Sequence, residues 1–283
     1  MNIIKLREEL KRFLIEDIGE QDLTTSSIFP PSQIGEGKVL AKEPGILAGV
    51  DVIKECLHLF DPTISVNLYK KDGEVLVPGD IIATVKGPIV ALLTGERIIL
   101  NLLQRMSGIA TLTAAAVKAL DSDHTKICDT RKTTPGLRMF EKYAVKCGGG
   151  SNHRFGLYDG VMIKDNHIAF SGSITKAVNA VRENTGHMIK IEVETESREA
   201  VLEAVAAGAD VIMFDNRKPP EIAEFVELVP NHIVTEASGG ITIDALKDYG
   251  QTGVDYISLG LLTHSYKALD ISFVTGWKSE GEK

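Results

Sequence analysis

The residues able to do chemistry in this chain crowd into one run, Asp129 to His167, which reads DTRKTTPGLRMFEKYAVKCGGGSNHRFGLYDGVMIKDNH. From Arg131 to Lys164 stand seven Lys/Arg (Arg131, Lys132, Arg138, Lys142, Lys146, Arg154, Lys164) against two acids, Glu141 and Asp159. A local balance of +5 in a chain of net charge -8 makes a positive focus that gathers small anions. The acidity of the whole argues against general nucleic-acid binding. Arg131, Arg138 and Arg154 offer planar forks suited to carboxylate and phosphate. Thr130, Thr133, Thr134, Ser151, Asn152 and His153 interleave hydrogen-bonding groups with the cations. A solvated basic loop would carry the same charges. Here, however, Gly148, Gly149, Gly150 and the Pro135-Gly136 turn let backbone come close to a ligand. The run also enters an apolar strand, GVMI, which sets Lys164 at a strand end.

Groups so far apart in sequence need a frame. After Asp123 six apolar runs recur: TKICD, GVMI, MIKIEVE, ADVIMF, HIVTEAS and VDYISLG. Helix signatures separate most of them. One starts at Ser173 and one at Ser197, KPPEIAEFVELVP has prolines in its first turn, and ITIDALKDYG ends at Gly250. From the third run onward, strand starts fall about 22 residues apart, the tempo of parallel βα units. Six strands are fewer than the eight of a closed barrel. The expected fold is therefore α/β, with an open, incomplete parallel βα barrel; a doubly wound sheet is the structural alternative. CGGGSNH does not join a strand directly to a helix and is no dinucleotide fingerprint.

Barrel sites form at the C-terminal ends of strands. Those ends are Asp129-Thr130-Arg131-Lys132, Lys164-Asp165-Asn166, Glu192 and Glu194, Asp215-Asn216, Glu236 with Ser238-Gly239-Gly240, and Ser258-Leu259-Gly260. One half is basic and fits an anionic substrate. The other is carboxylate and fits a metal or a ribose. Glu194 and Asp215 end successive strands and should lie side by side, as acid/base catalysts, metal ligands, helix caps, or partners of neighbouring Lys or Arg; Mg²⁺ typically takes one or two carboxylates with substrate phosphate and water. Alternation puts Lys190, Glu192 and Glu194 on one face. EASGG before a helix reads as a phosphate cradle or as a structural glycine turn.

The rest of the chain supplies scaffold. Its 283 residues, 43% hydrophobic and 25% charged, suit a soluble globular protein of one large or two modest domains. No apolar run approaches the ~20 residues that span a bilayer. The N-terminus lacks a signal-peptide apolar block. Three cysteines without a CxxC favour a reducing cytoplasm, and Cys128, Cys147 and His153 match no common zinc spacing. Ile4, Leu6, Leu10, Phe13, Leu14 and Ile18 form a helical stripe over residues 3 to 18. Near-period-two runs from Gly35 to about Val90, with the helical insert DVIKECLHLF, predict an α+β unit with an antiparallel sheet. Thr94 is the expected N-cap of a long helix carrying Arg97 and Arg105, with a dent or break at Ser107-Gly108.

TRKTTPGLR, KCGGGSNHRFGLYDGVMIKDNH, IEVET, MFDN, EASGG and ISLG, in this order, resemble the quinolinate phosphoribosyltransferases, and GERIILNLLQRMSGIAT is similar to the same family. The resemblance runs from about Leu6 to Gly276. It implies an N-terminal α/β sandwich domain over 1–107, an irregular barrel over 108–266 that holds the active site, and a C-terminal segment, 267–283, packing back on the sandwich. It implies a cytoplasmic pentosyltransferase of NAD biosynthesis that joins quinolinate to phosphoribosyl pyrophosphate and releases carbon dioxide. By resemblance, Arg131, His153, Arg154 and Lys164, with Arg97 from a partner subunit, hold quinolinate. Lys132 contacts the donor; Lys132, Glu194 and Asp215 are catalytic. Ser238, Gly239, Gly240, Ser258 and Gly260 bind substrate, and Glu194 and Asp215 hold Mg²⁺. The implied assembly is a homodimer or a set of dimers, with neither nucleic acid nor membrane as partner. Two other readings remain open: transfer to another anionic acceptor, as in the similar protein of molybdate operons, and a catalytically silent phospho-ligand sensor.

Overall fold

The structure is a computed structural model that describes residues 1–275. These form two compact units. The first takes Met1–Leu112, Met139–Gly149 and the described chain from Ser265 onward; the second takes Thr113–Arg138 and Gly150–His264. This division differs from a cut at 107/108 chiefly in giving residues 139–149 to the first unit. Of the expected C-terminal segment, residues 276–283 lie outside the described residues.

The first unit opens with helix α1 (Ile3–Ile18), capped by Asn2, whose side chain accepts from the Ile4 and Lys5 amides. Leu6, Leu10 and Leu14 are its buried stripe, whereas Ile4, read as part of that stripe, is exposed. After α2 (Leu23–Ile28) the chain forms β1 (Ile34–Ala41), β2 (Gly45–Ile46), α3 (Val50–Phe60), β3 (Ser65–Leu68), β4 (Val75–Leu76) and β5 (Ile81–Pro88). The last described strand, β12 (Ile271–Thr275), pairs antiparallel with β1, and the sheet order is β12-β1-β5-β3. Val39, Ala41, Ile82, Ala83 and Val85 from the sheet, and Val52, Ile53, Cys56 and Leu57 from α3, are fully or almost fully buried. Helix α5 (Arg138–Cys147) was not legible as a helix in the glycine-rich basic run. Its apolar residues Phe140, Ala144 and Val145 are fully buried, and the Phe140 ring lies 5.9 Å from that of Phe13 on α1. That stripe explains why residues 139–149 join the first unit.

Helix α4 (Ile89–Leu120) is one continuous helix of 32 residues. Thr94 lies inside it and donates to Asp22 Oδ2 (2.9 Å) instead of capping it. Ser107-Gly108 does not break it. Ser107 Oγ accepts from the Ala48 amide (3.1 Å), and Gly108 leaves room for the backbone of Lys267 and Ala268. By length and composition α4 would suffice to cross a membrane, contrary to the reading that no run approaches that size, yet 56% of its most apolar window is buried within the protein.

The second unit holds β6 (Lys126–Cys128), β7 (Val161–Ile163), β8 (Ile191–Thr195), β9 (Val211–Asp215), β10 (Val234–Ser238) and β11 (Tyr256–Ser258). All six expected strands form, and they make one parallel sheet in the order β6-β11-β10-β9-β8-β7. Among the described residues β6 and β7 do not pair, so the barrel is open. Ser151 adds a single parallel bridge beside Cys128. The intervening helices are α6 (Asp165–Ser171), α7 (Ile174–Asn184), α8 (Arg198–Ala206), α9 (Pro219–Val226), α10 (Leu246–Gly250) and α11 (Leu261–His264). Ser173 and Ser197 cap α7 and α8 by accepting from the Lys176 and Ala200 amides, and prolines open α9. One face of these strands packs into the core through Ile191, Val193, Ile212, Phe214, Ala237 and Ile257, all fully buried, while Glu192, Glu194 and Glu236 line the other face.

A Cβ at position 108 would collide with the Lys267 carbonyl, which is backbone and cannot swing aside. Gly108→Ala should therefore lose about 1–3 kcal/mol despite alanine's better helix propensity. Urea denaturation measures this, and an unchanged midpoint would show that the 267–268 backbone yields freely.

Candidate active site

The C-terminal ends of the six strands surround a cavity of about 610 Å³ in the second unit. Of the seven cations in the basic run, Arg131, Lys132, Arg154 and Lys164 line it. The other three do not line it. Arg138 donates to Thr133 Oγ1 and the Phe155 carbonyl, at 2.9 Å each. Lys142 is fully buried and Lys146 lies on α5. Charge counting along the sequence could not make this separation, because α5 carries part of the run into the first unit.

Lys132 is set by its own backbone. Its amide donates to Thr130 Oγ1 (3.0 Å), and its carbonyl accepts from Thr263 Oγ1 (2.8 Å). Gly260 does not line the cavity, but a Cβ there would press on Lys132 Cδ, so the glycine makes room for that side chain. Arg154 Nη1 donates to the Gly160 carbonyl (2.8 Å). Burial, and then the neighbouring Arg131 cation, pull the Arg154 pKa below its ordinary value. An anion between the two guanidiniums would relieve that strain.

Across the cavity stand Glu194 and Asp215. Glu194 is in register with Met213, two residues before Asp215, so the two carboxylates share one stretch of rim. Lys164 Nζ lies 2.5 Å from Glu194 Oε1. A cation assigned by resemblance to quinolinate is thus paired with a carboxylate of the other half. Burial, reinforced by the charges of Asp215 and Glu192 and opposed by Lys164, raises the Glu194 pKa. Asp215 Oδ2 accepts from Asn216 Nδ2 (2.7 Å). Asn216 sits in the left-handed region (φ 55°), and its amide donates to the Ser238 carbonyl (2.9 Å). Gly239 (φ 93°) packs so closely on Asn216 that a Cβ would strike its backbone amide and side chain. Ser238, Gly239, Gly240 and Ser258 all line the cavity. The helix expected straight after the glycines begins only after a 3-10 turn, Ile243–Ala245, so the loop itself forms the cradle.

The floor is a polar layer. Asp129, fully buried, accepts from the His153 amide (2.9 Å) and from Asn152 Nδ2 (2.6 Å). His153 Nε2 lies 2.9 Å from Glu192 Oε2 and 3.6 Å from Glu236 Oε2. His153 Nδ1 accepts from the Arg154 amide (2.8 Å). Both ring nitrogens therefore face protein groups, although the residue lines the cavity. Burial first, and then the Glu192 carboxylate, push Glu236 up to about 8. Glu192 and Glu236 appeared among the strand ends, but nothing in the sequence singled them out from core-facing neighbours. Below them a second cavity, about 340 Å³, is bordered by Lys190, Val211, Val234 and Tyr256 at the strand starts. Lys190, Glu192 and Glu194 thus do follow one line from the bottom cavity to the top one.

Arg97 is exposed on α4 and belongs to the first unit. Among the described residues, His153, Glu192 and Glu236 have metal-ligand spacing, and the group includes no cysteine.

An open parallel barrel with cations, carboxylates and a glycine cradle at its strand ends defines an anion-handling α/β enzyme site. The sequence matches the quinolinate phosphoribosyl transferase N-terminal domain over residues 22–107 and the C-terminal domain over residues 109–274. A Bacillus subtilis (strain 168) protein, named probable nicotinate-nucleotide pyrophosphorylase (carboxylating), is 58% identical over 272 residues, 96% of this chain and 94% of its own length. The Nicotiana tabacum mitochondrial quinolinate phosphoribosyltransferase (decarboxylating) 2b is 41% identical, over 94% of this chain and 81% of its own length. The crystal structure of NadC from Streptococcus pyogenes superposes with a TM-score of 0.93 at 42% identity, covering 97% of this chain and 98% of that one. The chain belongs to the quinolinate phosphoribosyl transferase family.

Glu236 yields a pH signature. Its folded pKa exceeds the ordinary carboxylate value, so between that value and about 8 the folded state holds a proton that the unfolded state has released. The contribution to stability is full below this window and lost as pH rises through it. Glu236→Gln should gain on wild type between pH 5 and 8, at up to ~1.4 kcal/mol per pH unit. Denaturation midpoints that run parallel across that range would contradict the buried proton.

Proposed function

We propose that this chain transfers the phosphoribosyl group of phosphoribosyl pyrophosphate to quinolinate, with decarboxylation, giving nicotinate mononucleotide, pyrophosphate and carbon dioxide. One observation carries the reading: four cations, five carboxylates (Glu194 and Asp215 among them) and a glycine cradle converge on a single 610 Å³ cavity. Family membership supports the same reaction.

In this reading Arg131, Arg154 and Lys164 hold the two carboxylates of quinolinate, and Lys132 contacts the donor. His153 serves through the Arg154 peptide, because both its ring nitrogens are engaged. Ser238, Gly239, Gly240 and Ser258 hold the phosphate end of the donor, and Gly260 keeps the space that Lys132 fills. The ring nitrogen of quinolinate attacks ribose C1 as the bond to pyrophosphate breaks, so no protein nucleophile is needed. The carboxylates of Glu194 and Asp215 stabilise positive charge at C1. The carboxylate beside the ring nitrogen then leaves as carbon dioxide, and its bonding electrons pass to the adjacent ring carbon, stabilised by the pyridinium; a proton completes that carbon. The cationic wall acts by holding and orienting.

Glu194 and Asp215 form an oxygen donor set of the kind Mg²⁺ takes alongside substrate phosphate. Glu194, disfavoured as an anion by burial, would be relieved by such a cation. Bound there, Mg²⁺ would neutralise the departing pyrophosphate. We place the reaction in the cytoplasm, consistent with Cys56, Cys128 and Cys147 all being free thiols. We also propose a homodimer, or an assembly of dimers, in which Arg97 reaches the partner's cavity.

Release of carbon dioxide from quinolinate, with and without phosphoribosyl pyrophosphate and Mg²⁺, tests the reaction. Phosphate binding without turnover would favour the sensor reading, and turnover only with another acceptor would favour the paralogue. Arg154→Ala should weaken quinolinate binding by about 2–5 kcal/mol in a folded protein. Glu194→Gln should instead impair use of the magnesium-bound donor, and retained turnover with ordinary magnesium dependence would return that carboxylate to a structural role.

The assembly has its own test. Arg97→Ala and Lys164→Ala proteins should each be nearly inactive. If Arg97 acts across a two-fold interface, a mixed dimer carries one site with both lesions and one with neither. Activity should then return toward half per mixed dimer. Verified subunit exchange without recovery would confine Arg97 to its own subunit.

A further inference from the structure

The polar floor contains groups to which the reaction assigns no direct part. A metal ion is the first occupant to weigh. One donor atom each from His153, Glu192 and Glu236 lies within 4.8 Å of the others, and Glu192 Oε1 and Glu236 Oε1 are buried without a hydrogen-bond partner. The bonding of the imidazole argues against a metal. The Arg154 amide donates to His153 Nδ1 (2.8 Å), so Nδ1 carries no proton. The proton of a neutral ring then sits on Nε2, the atom that faces the carboxylates. A metal on Nε2 would require an imidazolate, whereas a metal-bound histidine normally donates a proton from its other nitrogen.

We propose that Glu192 is a positioning residue: by accepting the Nε2–H of His153 it fixes the ring tautomer that holds the Arg154 peptide, and with it the Arg154 side chain. Glu192 Oε2 is at 2.9 Å, a good hydrogen-bond length, while Glu236 Oε2 at 3.6 Å is too far to do the same. The other tautomer would set an Nδ1–H against the Arg154 N–H, donor against donor. Asp129 pins the same strap from the other side through the His153 amide and the Asn152 side chain. Arg154 is therefore gripped at its amide by His153 and at its guanidinium by the Gly160 carbonyl. The functional part of this inference rests on the proposed role of Arg154 in holding quinolinate; the tautomer lock does not.

The experiment is nitrogen NMR of the full chain carrying ¹⁵N-labelled histidine, with steady-state kinetics on the same proteins. Wild type, Glu192→Gln and Glu236→Gln should all show His153 protonated at Nε2 and not at Nδ1, since glutamine at 192 still offers an acceptor. Glu192→Leu should shift the ring toward the Nδ1–H form. It should also raise the quinolinate KM about tenfold, the effect of one orienting hydrogen bond, with kcat and the phosphoribosyl pyrophosphate KM nearly unchanged. A purely structural role would move none of these selectively. An Nδ1–H ring in wild type or Glu192→Gln overturns the proposal, and both are readable even if Glu192→Leu does not fold. So does a folded Glu192→Leu with the wild-type tautomer and KM. Stoichiometric zinc or manganese retained by wild type and lost in Glu192→Gln would overturn it in favour of a metal. If Glu192→Leu moves the tautomer while Arg154→Ala leaves quinolinate binding untouched, the tautomer lock stands and the reading of Arg154 falls.

Discussion

The parallel register of the central strands is the constraint on which the second unit depends. Ser238 lies opposite Asp215, and Glu194 lies opposite Met213. Because side chains alternate along a strand, a slip of one residue would send each inward group to the other face. The cavity wall, the carboxylate rim and the polar floor would be lost together. The hydrogen bonds that fix the register are backbone bonds, indifferent to the chemistry they arrange. What holds the register in place is the apolar packing of Ile191, Val193, Ile212, Phe214 and Ala237, all fully buried.

The same alternation builds the site in layers. Along β8, Glu192 belongs to the floor and Glu194 to the rim, while Val193 between them enters the core. Glu194 has Lys164 as its ion-pair partner and lines the upper cavity. Glu192 is sealed beneath it against His153. Two glutamates one side-chain repeat apart therefore meet different demands because one is nearer water. Their burial, more than their identity, sorts them into separate tasks.

Much of this was legible in the sequence. The six strands announced themselves as Val/Ile-rich runs, and Ser173, Ser197 and Pro219 marked helix starts, because caps and prolines act locally. Arg131, Lys132, Arg154, Lys164, Glu194 and Asp215 could be drawn to one cavity because strand ends in such sheets share an edge. What escaped was set by tertiary contact. Helix α5 was hidden because its apolar stripe, Phe140, Ala144 and Val145, lies among charges and runs into three glycines. Thr94 looked like a cap because its residue type fits, but the helix had already begun five residues earlier. His153 does line the cavity, but no sequence reveals which protein atoms will meet its two ring nitrogens. Ser107-Gly108 looked like a break, yet each makes a close contact that a larger residue would forbid.

The packing of Gly239 on Asn216 joins the glycine loop after β10 to the turn that follows Asp215. Both residues adopt positive φ, and each leaves the other no spare volume. The glycine loop and the carboxylate rim of the cavity are therefore held in one fixed relation. A side chain at 239 would meet the backbone amide of 216 as well as its side chain, so trimming position 216 to glycine would not make room for it; the backbone of both turns would have to move. The two positions form a single geometric unit, even though they stand 23 positions apart in the chain.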